Sequence, residues 1–442
     1  MDFTHNIETR KRSLQKLLAN VIKFEEEIIK ALYDDFKKPD FETVATETSY
    51  IISDLKDTIK NIRAFSKPKR VSSSLLNFPS SDYIYYEPYG KVLIIAPWNY
   101  PFQLAICPLV AAVAAGNSVV LKPSELTPHT SAIIAKIIAQ SFEKDHVSVE
   151  QGDAGKSKEL LAKRWDYIFF TGSVAVGKEV AKAAAVNLTP VTLELGGKSP
   201  CIVDQTAKIE LSARRIVWGK FVNAGQTCIA PDYILVHAGI KQKLIDALKH
   251  EIIKAYGNDI KSSPDFARII NLKNWERLIG YMTSQKVVFG GSSNKVNLFI
   301  EPTLMDQPDL KSDIMQNEIF GPLLPIISYQ SEEELHHIIK SYEKPLSLYV
   351  FTEQAEFAEK IIAELSFGGG CVNDTLMHIA NKKLPFGGVG HSGMGAYHGK
   401  TSFETFSHKK SISKKGTWLD IPLRYAPYKD KITTLRKLLK WI

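Results

Sequence analysis

This sequence predicts an α/β fold: a doubly wound, mostly parallel sheet in one domain, followed by a second α/β domain. Two observations carry the prediction. From Val92 to beyond Val174, short apolar runs alternate with helical patterns. The runs are almost continuously hydrophobic, as strands covered on both faces by helices are. The second observation is length. A chain of 442 residues exceeds one simple core, so two or three domains are expected.

The elements follow in order. Between Ile7 and about Phe36 the residues Leu14, Leu17, Val21, Ile28 and Leu32 recur at helical spacing, and a second helical stretch runs from about Thr43 to Phe65, beyond the break at Pro39. Asp82 to Glu87 is short, aromatic and alternating, and reads as a β ribbon. The alternation then begins: a strand over Val92 to Ala96, a small-residue helix over Leu104 to Ala115, a strand over Ser118 to Leu121 and a helix from Pro128. Val147 to Gln151, Tyr167 to Phe170 and a helix from about Val174 continue it. Such βαβα order implies an open parallel sheet with helices on both faces. A second α/β segment runs to about Lys383, with strands at Tyr233 to Val236 and Leu346 to Phe351.

Composition narrows the class. Hydrophobic content of 44% and charged content of 24% are ordinary for a soluble globular protein. Cys107, Cys201, Cys228 and Cys371 lie far apart, with neither metal-ligand spacing nor disulfide density, so a reducing, cytoplasmic setting is expected. The first residues lack the pattern of a signal peptide, and no apolar run approaches the roughly 20 residues of a membrane span. From Gly399 onward there are eleven Lys and Arg against three acids, which accounts for the whole net charge of +8. The body is balanced. With no zinc-finger or RNA-binding motif, nucleic acid is not an expected partner.

Chemistry concentrates in a few segments. A lone cysteine is usually a small buried hydrophobe. Cys228, however, follows Ala224-Gly225-Gln226-Thr227, whose small and polar side chains leave a nucleophilic thiolate the access it needs. Glu194 stands between Leu193 and Leu195 and precedes Gly196-Gly197, the setting of a desolvated acid with a raised pKa, suited to general-base work. Gly172-Ser173-Val174-Ala175-Val176-Gly177-Lys178 joins a strand to a helix and superficially matches a P-loop. That motif next needs Ser or Thr, and Glu179 occupies the position. What survives is a glycine turn whose free amides and helix dipole favour an anion. Lys122-Pro123-Ser124-Glu125 follows another strand, at the sheet edge where a dinucleotide ribose is reached; alone, such a pair is more often solvated.

The Cys228 and Glu194 segments together resemble the catalytic signatures of the aldehyde dehydrogenase superfamily. Three further segments match in family order: Ala96-Pro97-Trp98-Asn99-Tyr100-Pro101, Asn317-Glu318-Ile319-Phe320-Gly321-Pro322 and Leu384-Pro385-Phe386-Gly387-Gly388. Gly390 to Lys400 and Asp420 to Tyr425 look like the class 3 branch, the compact dimeric members. The resemblance covers nearly the whole chain.

It implies that Cys228 is the nucleophile, that Asn99 and the Cys228 backbone amide steady the oxyanion, and that Glu194, aided by Glu318, activates water to hydrolyse a thioester. It places the cofactor pyrophosphate near Gly172 and Ser173 in the loop closed by Gly177, the adenosine ribose on Lys122 and Glu125, the nicotinamide ribose on Glu318, and the nicotinamide ring near Phe320. The cofactor is NAD, with NADP usable; the substrate is an aldehyde; no metal is used; Phe386 walls the substrate tunnel; His378, His391 and His398 are structural or solvent-facing. Which group deprotonates Cys228 stays open, and so does the aldehyde. The implied domains are residues 1–80 and 91–195 for the dinucleotide, 196–390 for catalysis, 81–90 and 403–413 as bridging strands of a homodimer, and 414–442 as a basic tail. Two other readings weigh against this one. A CoA-acylating enzyme has no need of a base at Glu194, and a non-catalytic dinucleotide-binding relative has no need of Cys228, Glu194 and Asn99 together. In the tail, Ile432, Leu435, Leu438, Leu439 and Ile442 share one face of a potential helix, which reads either as docked on its own subunit or as a peripheral contact with anionic membranes.

Overall fold

The structure, a computed structural model, describes residues 6–74 and 77–440. Ile442 therefore lies outside the described residues. The first helix, Ile7–Lys23, is started by Asn6, whose side chain accepts from the amides of Glu8 and Thr9 at 3.0 and 3.2 Å. Its apolar stripe continues in a separate helix, Glu25–Phe36, because Phe24 leaves helical geometry at ψ 15°. The next stretch is also broken. Asp40–Thr43 leads into a single π-helical turn, Val44–Thr48, before the long helix Ser49–Ser66. A π turn leaves no mark in hydrophobic periodicity, so the sequence shows one helix there.

The first large sheet has six strands in the order Gly393–Met394, Val191–Glu194, Tyr167–Thr171, Lys91–Ile95, Ser118–Lys122, Val147–Val149. All neighbours are parallel except the antiparallel edge strand Gly393–Met394. Val92 to Ile95 are buried, and the helix Gln103–Ala115 is buried on every side, which explains why its sequence is apolar without a polar face. Gly116 ends that helix in the left-handed region, at φ 102°.

The second sheet has seven strands, ordered Val287–Phe289, Thr303–Asp306, Leu323–Tyr329, Tyr233–His237, Pro200–Val203, Ser347–Phe351, Gly369–Val372. It is parallel apart from its first strand. A third, antiparallel sheet joins Lys69–Val71, Ser80–Pro88 and Ser407–Lys415. Its last strand starts at Ser407 because the preceding residues form the helix Gly399–Thr405. Among the described residues no helix is long and apolar enough to cross a membrane.

The tail departs from one of its two sequence readings. The helix Lys431–Leu439 buries none of its residues, and Ile432, Leu435, Leu438 and Leu439 are all exposed. Its apolar face is not docked on its own subunit.

Candidate active site

Three strands of the first sheet end at one edge. Beyond Ile95 lies the Asn99 segment, beyond Thr171 the Gly172–Ser173 turn, and at the end of its own strand Glu194, in register with Thr171. The fourth piece comes from the second domain. The helix Ile209–Phe221 runs into a turn in which Asn223, Ala224 and Gly225 all take left-handed geometry, with φ of 56°, 53° and 74°. Two of these carry a β-carbon, so the turn is strained and must be held by its surroundings. Only glycine fits at 225, where a β-carbon would fall 2.4 Å from the Gly321 carbonyl oxygen. Three residues further on is Cys228.

Asn99 is locked to this turn. Its Nδ2 donates to the Gln226 carbonyl at 3.0 Å, and Asn223 Nδ2 donates to the Asn99 carbonyl at 2.8 Å. An amide nitrogen carries two hydrogens. One is committed to Gln226, which fixes the plane of the amide and leaves the other for an oxygen in the cleft that Asn99 lines.

Glu194 is buried, and neither carboxylate oxygen has a hydrogen-bond partner among the described residues. Desolvation drives its pKa well above the usual carboxylate range. The Cys228 thiol is pushed up to about 12, first by burial and then by the charges of Glu318 and Glu194. Glu318 rises to about 8, chiefly by burial and then through Asp232, against the Gly197 amide and the Lys198 and Arg277 charges.

Two cavities meet at these groups. A cleft of about 670 Å³ is lined by Trp98, Asn99, Gly172, Ser173, Gly196, Arg277, Glu318 and Phe320, among others. A tunnel of about 310 Å³ is lined mainly by apolar side chains, including Tyr50, Trp218, Ile229, Leu376, Met377 and Phe386. Cys228, Glu194 and Thr171 border both.

The other residues singled out in the sequence fall as follows. Ser173 caps the helix Val174–Ala185 through a 3.4 Å bond from the Val176 amide, and no acidic residue occupies that helix's first turn. Gly172 lies against the Phe170 ring, where a β-carbon would come within 2.5 Å. Gly177 lets the same helix close onto Leu195, a β-carbon there falling 2.6 Å from Leu195 Cδ2, and it is not among the residues lining the cleft. Lys122 and Glu125 pair with each other at 2.5 Å and also lie outside the cleft lining. Glu179 is exposed and paired with Lys182. Phe320 sits edge-on to Trp98 with ring centroids 5.3 Å apart. His378 and His398 both stack on the Phe386 ring, and His391 is exposed. The described residues contain no group of three side chains able to hold a metal.

Two further contributors draw mostly on residues that no motif marks. The buried Lys198–Asp232 pair, at 2.5 Å, fastens the Glu318 segment: Asp232 accepts from the Ile319 amide at 2.9 Å, and Lys198 donates to the Ile314 and Asn317 carbonyls. The tunnel wall is the other: apart from the expected Phe386, it is assembled from segments between Ala45 and Tyr397 that no single stretch reveals.

The cleft suits a dinucleotide. A helix N-terminus free of acids offers amides to a pyrophosphate, and the absence of a β-carbon at Gly196 lets the Glu318 carboxylate pack against the cleft floor. A thiol and an isolated carboxyl at the meeting point of such a cleft with an apolar tunnel define an oxidoreductase that works through a covalent cysteine adduct. Comparison with known proteins makes the class specific. Residues 4–412 match the aldehyde dehydrogenase family, and the chain belongs to that family as an NAD(P)-dependent enzyme. It is 49% identical over 439 residues to 4,4'-diaponeurosporen-aldehyde dehydrogenase of Staphylococcus aureus (strain NCTC 8325 / PS 47), covering 99% of this chain and 96% of that protein. It is 43% identical over 432 residues to the dimeric NADP-preferring aldehyde dehydrogenase of Canis lupus familiaris, covering 97% and 95%. A solved structure of the substrate-bound state of Staphylococcus aureus AldH superposes with a TM-score of 0.97 at 48% identity, covering 99% and 96%.

Proposed function

We propose that this enzyme oxidises long, uncharged, apolar aldehydes to carboxylic acids through a thioester on Cys228. The observation that carries the reading is the position of Cys228 and Glu194 on the border between the polar cleft and the tunnel, in which Glu194 is the sole charged side chain among the described lining residues. The name of the Staphylococcus aureus relative, 4,4'-diaponeurosporen-aldehyde dehydrogenase, supports an aldehyde as the substrate.

Cys228 Sγ adds to the aldehyde carbon, and the Asn99 amide with the Cys228 backbone amide stabilises the resulting oxyanion. The oxidised nicotinamide, when bound, supplies the two-electron acceptor that turns this adduct into a thioester. Gly172, Ser173, Glu318 and Phe320 would hold the cofactor from the cleft, with Lys122 and Glu125 at the adenosine ribose. Glu125 would accept from ribose hydroxyls and Lys122 would tolerate a 2′-phosphate, so a modest preference for NAD with use of NADP is expected. Glu194 takes a proton from the water that hydrolyses the thioester. Desolvation makes it the stronger base for that step. The first-sheet domain thus serves the dinucleotide and the second domain supplies the nucleophile.

The same reading covers assembly and location. The strand Ser407–Lys415 is an unpaired edge and suits a homodimer contact. Four free cysteines fit a cytoplasmic setting. The exposed apolar and basic faces of the tail favour peripheral contact with anionic membranes. Turnover of a panel of aliphatic and aromatic aldehydes, read with each nicotinamide, tests the chemistry. Cys228→Ser is expected to abolish it while cofactor binding survives; more than a few per cent residual turnover overturns the covalent scheme.

A further inference from the structure

Lys38, Glu42 and Glu47 line neither cavity, yet each reaches one of the two loops that meet at the reacting centre. Lys38 and Glu47 form a fully buried ion pair at 2.7 Å. Taking two charges out of water is costly unless their remaining hydrogen-bonding capacity is used. Here it is used on the Asn99 loop. Glu47 Oε1 takes the Lys38 ammonium, while Oε2 accepts from the backbone amides of Phe102 and Gln103 at 2.9 and 3.0 Å. The π turn at Val44–Thr48 carries Glu47 to that position. The Lys38 ammonium also lies 3.9 Å from the centre of the Tyr100 ring.

Tyr100 carries the contact onward, since its hydroxyl shares a 2.7 Å hydrogen bond with Thr227 Oγ1, one residue before Cys228. Glu42 approaches the cysteine turn from the other end, accepting from the Asn223 amide at 2.9 Å, at the first of the three left-handed residues. The chain just before Lys38 adds a further hold. The Phe36 carbonyl accepts from the Arg268 amide at 2.9 Å, and the Arg268 carbonyl accepts from Gln226 Nε2 at 3.0 Å.

We propose that Lys38, Glu42 and Glu47 are positioning residues: they clamp the Asn99 loop and the Cys228 turn in the one register at which the Asn99 and Cys228 amides converge on the same oxygen. The inference rests on the reading of Cys228 and Asn99 given above. Displacing a reacting group by about 1 Å costs rate on the order of a hundredfold, so a small slip between the loops has a kinetic signature.

The test uses the full-length chain with NAD and hexanal. Tyr100→Phe and Thr227→Val each remove one side of the same hydrogen bond. Each is expected to lower kcat by roughly tenfold, with the NAD dissociation constant, read by fluorescence, within about twofold of wild type. The double variant is expected to be no slower than either single one, because there is one bond to lose. Glu47→Gln strands a buried ammonium and fails to fold for that reason, so the clamp itself is tested in K38M/E47Q. This pair of changes removes both charges and keeps a carbonyl oxygen for the two amides. Its expected result, with that of Glu42→Gln, is a lowered kcat at near-native NAD affinity. Wild-type kcat in Tyr100→Phe, or single effects that multiply in the double variant, overturns the inference. Failure of the underlying reading shows differently, as turnover that survives Cys228→Ser.

Discussion

The carboxylate of Glu318 lies directly over the α-carbon of Gly196, so that a β-carbon at 196 would fall 2.2 Å from Oε2 and 2.3 Å from Oε1. Two chain segments more than a hundred residues apart thus touch at the cleft floor, and only a hydrogen fits between them.

Gly196→Ala forces the Glu318 carboxylate out of its place. Because Asp232 and Lys198 hold the backbone on either side of Glu318, at the Ile319 amide and the Asn317 carbonyl, the side chain moves and the segment stays. The expected outcome is a KM for NAD raised about tenfold or more with little loss of thermal stability. Steady-state kinetics at saturating aldehyde, with a melting curve, check it. An unchanged KM removes Glu318 from the cofactor site.

Glu194→Gln is expected to keep acylation and slow deacylation. The amide matches the carboxyl in shape but takes up no proton, so a burst of about one reduced cofactor per site precedes a slow steady rate. Stopped-flow absorbance measures both phases. An unchanged steady rate moves the base to Glu318.

The thiol's pH response follows from its neighbours. Burial, then Glu318 and Glu194, holds Cys228 up to about 12, so alkylation by iodoacetamide should climb steadily with pH and show no plateau near neutrality. Glu318 repels the thiolate once ionised, above about pH 8. Glu318→Gln should therefore match wild type below that pH and react faster above it. The same raised carboxyl pKa favours the folded state fully below the ordinary carboxylate pKa, and that contribution is lost as pH rises through about 8. A plateau near pH 7 in the wild-type alkylation profile overturns this account.

Much of this arrangement was legible in the residues. Val92 to Ala96 and Tyr167 to Phe170 are apolar throughout because both sheet faces are covered, and that signal is local. Cys228 and Glu194 stood out because small residues or glycines adjoin them, Asn99 stood out only through the family resemblance, and the fold brings those segments together. The parts that stayed hidden depend on distant partners. Lys198 and Asp232, 34 positions apart, look like surface charges until the fold brings them together. Gly177 looked like part of an anion loop, yet the Leu195 side chain determines its need for glycine. The π turn that carries Glu47 inward spans only five residues, too few to register in a hydrophobic pattern.

The tail was ambiguous in the sequence because amphipathic spacing fits a docked helix and a membrane-surface helix equally. In the structure Ile432, Leu435, Leu438 and Leu439 face away from the subunit, beside Lys431, Arg436, Lys437 and Lys440. An apolar stripe flanked by cations inserts at the boundary between headgroups and acyl chains, and each Lys or Arg near an anionic surface adds about 1 kcal/mol. Attachment of this kind weakens with salt, since screening acts on the charges while the apolar contact is too small to hold alone. The full chain is therefore expected to co-sediment with phosphatidylserine-containing vesicles at low salt and to be released at high salt. A chain ending at Lys429 should stay in the supernatant throughout. Equal, negligible sedimentation of the two proteins removes the membrane and leaves the apolar face to be covered by protein.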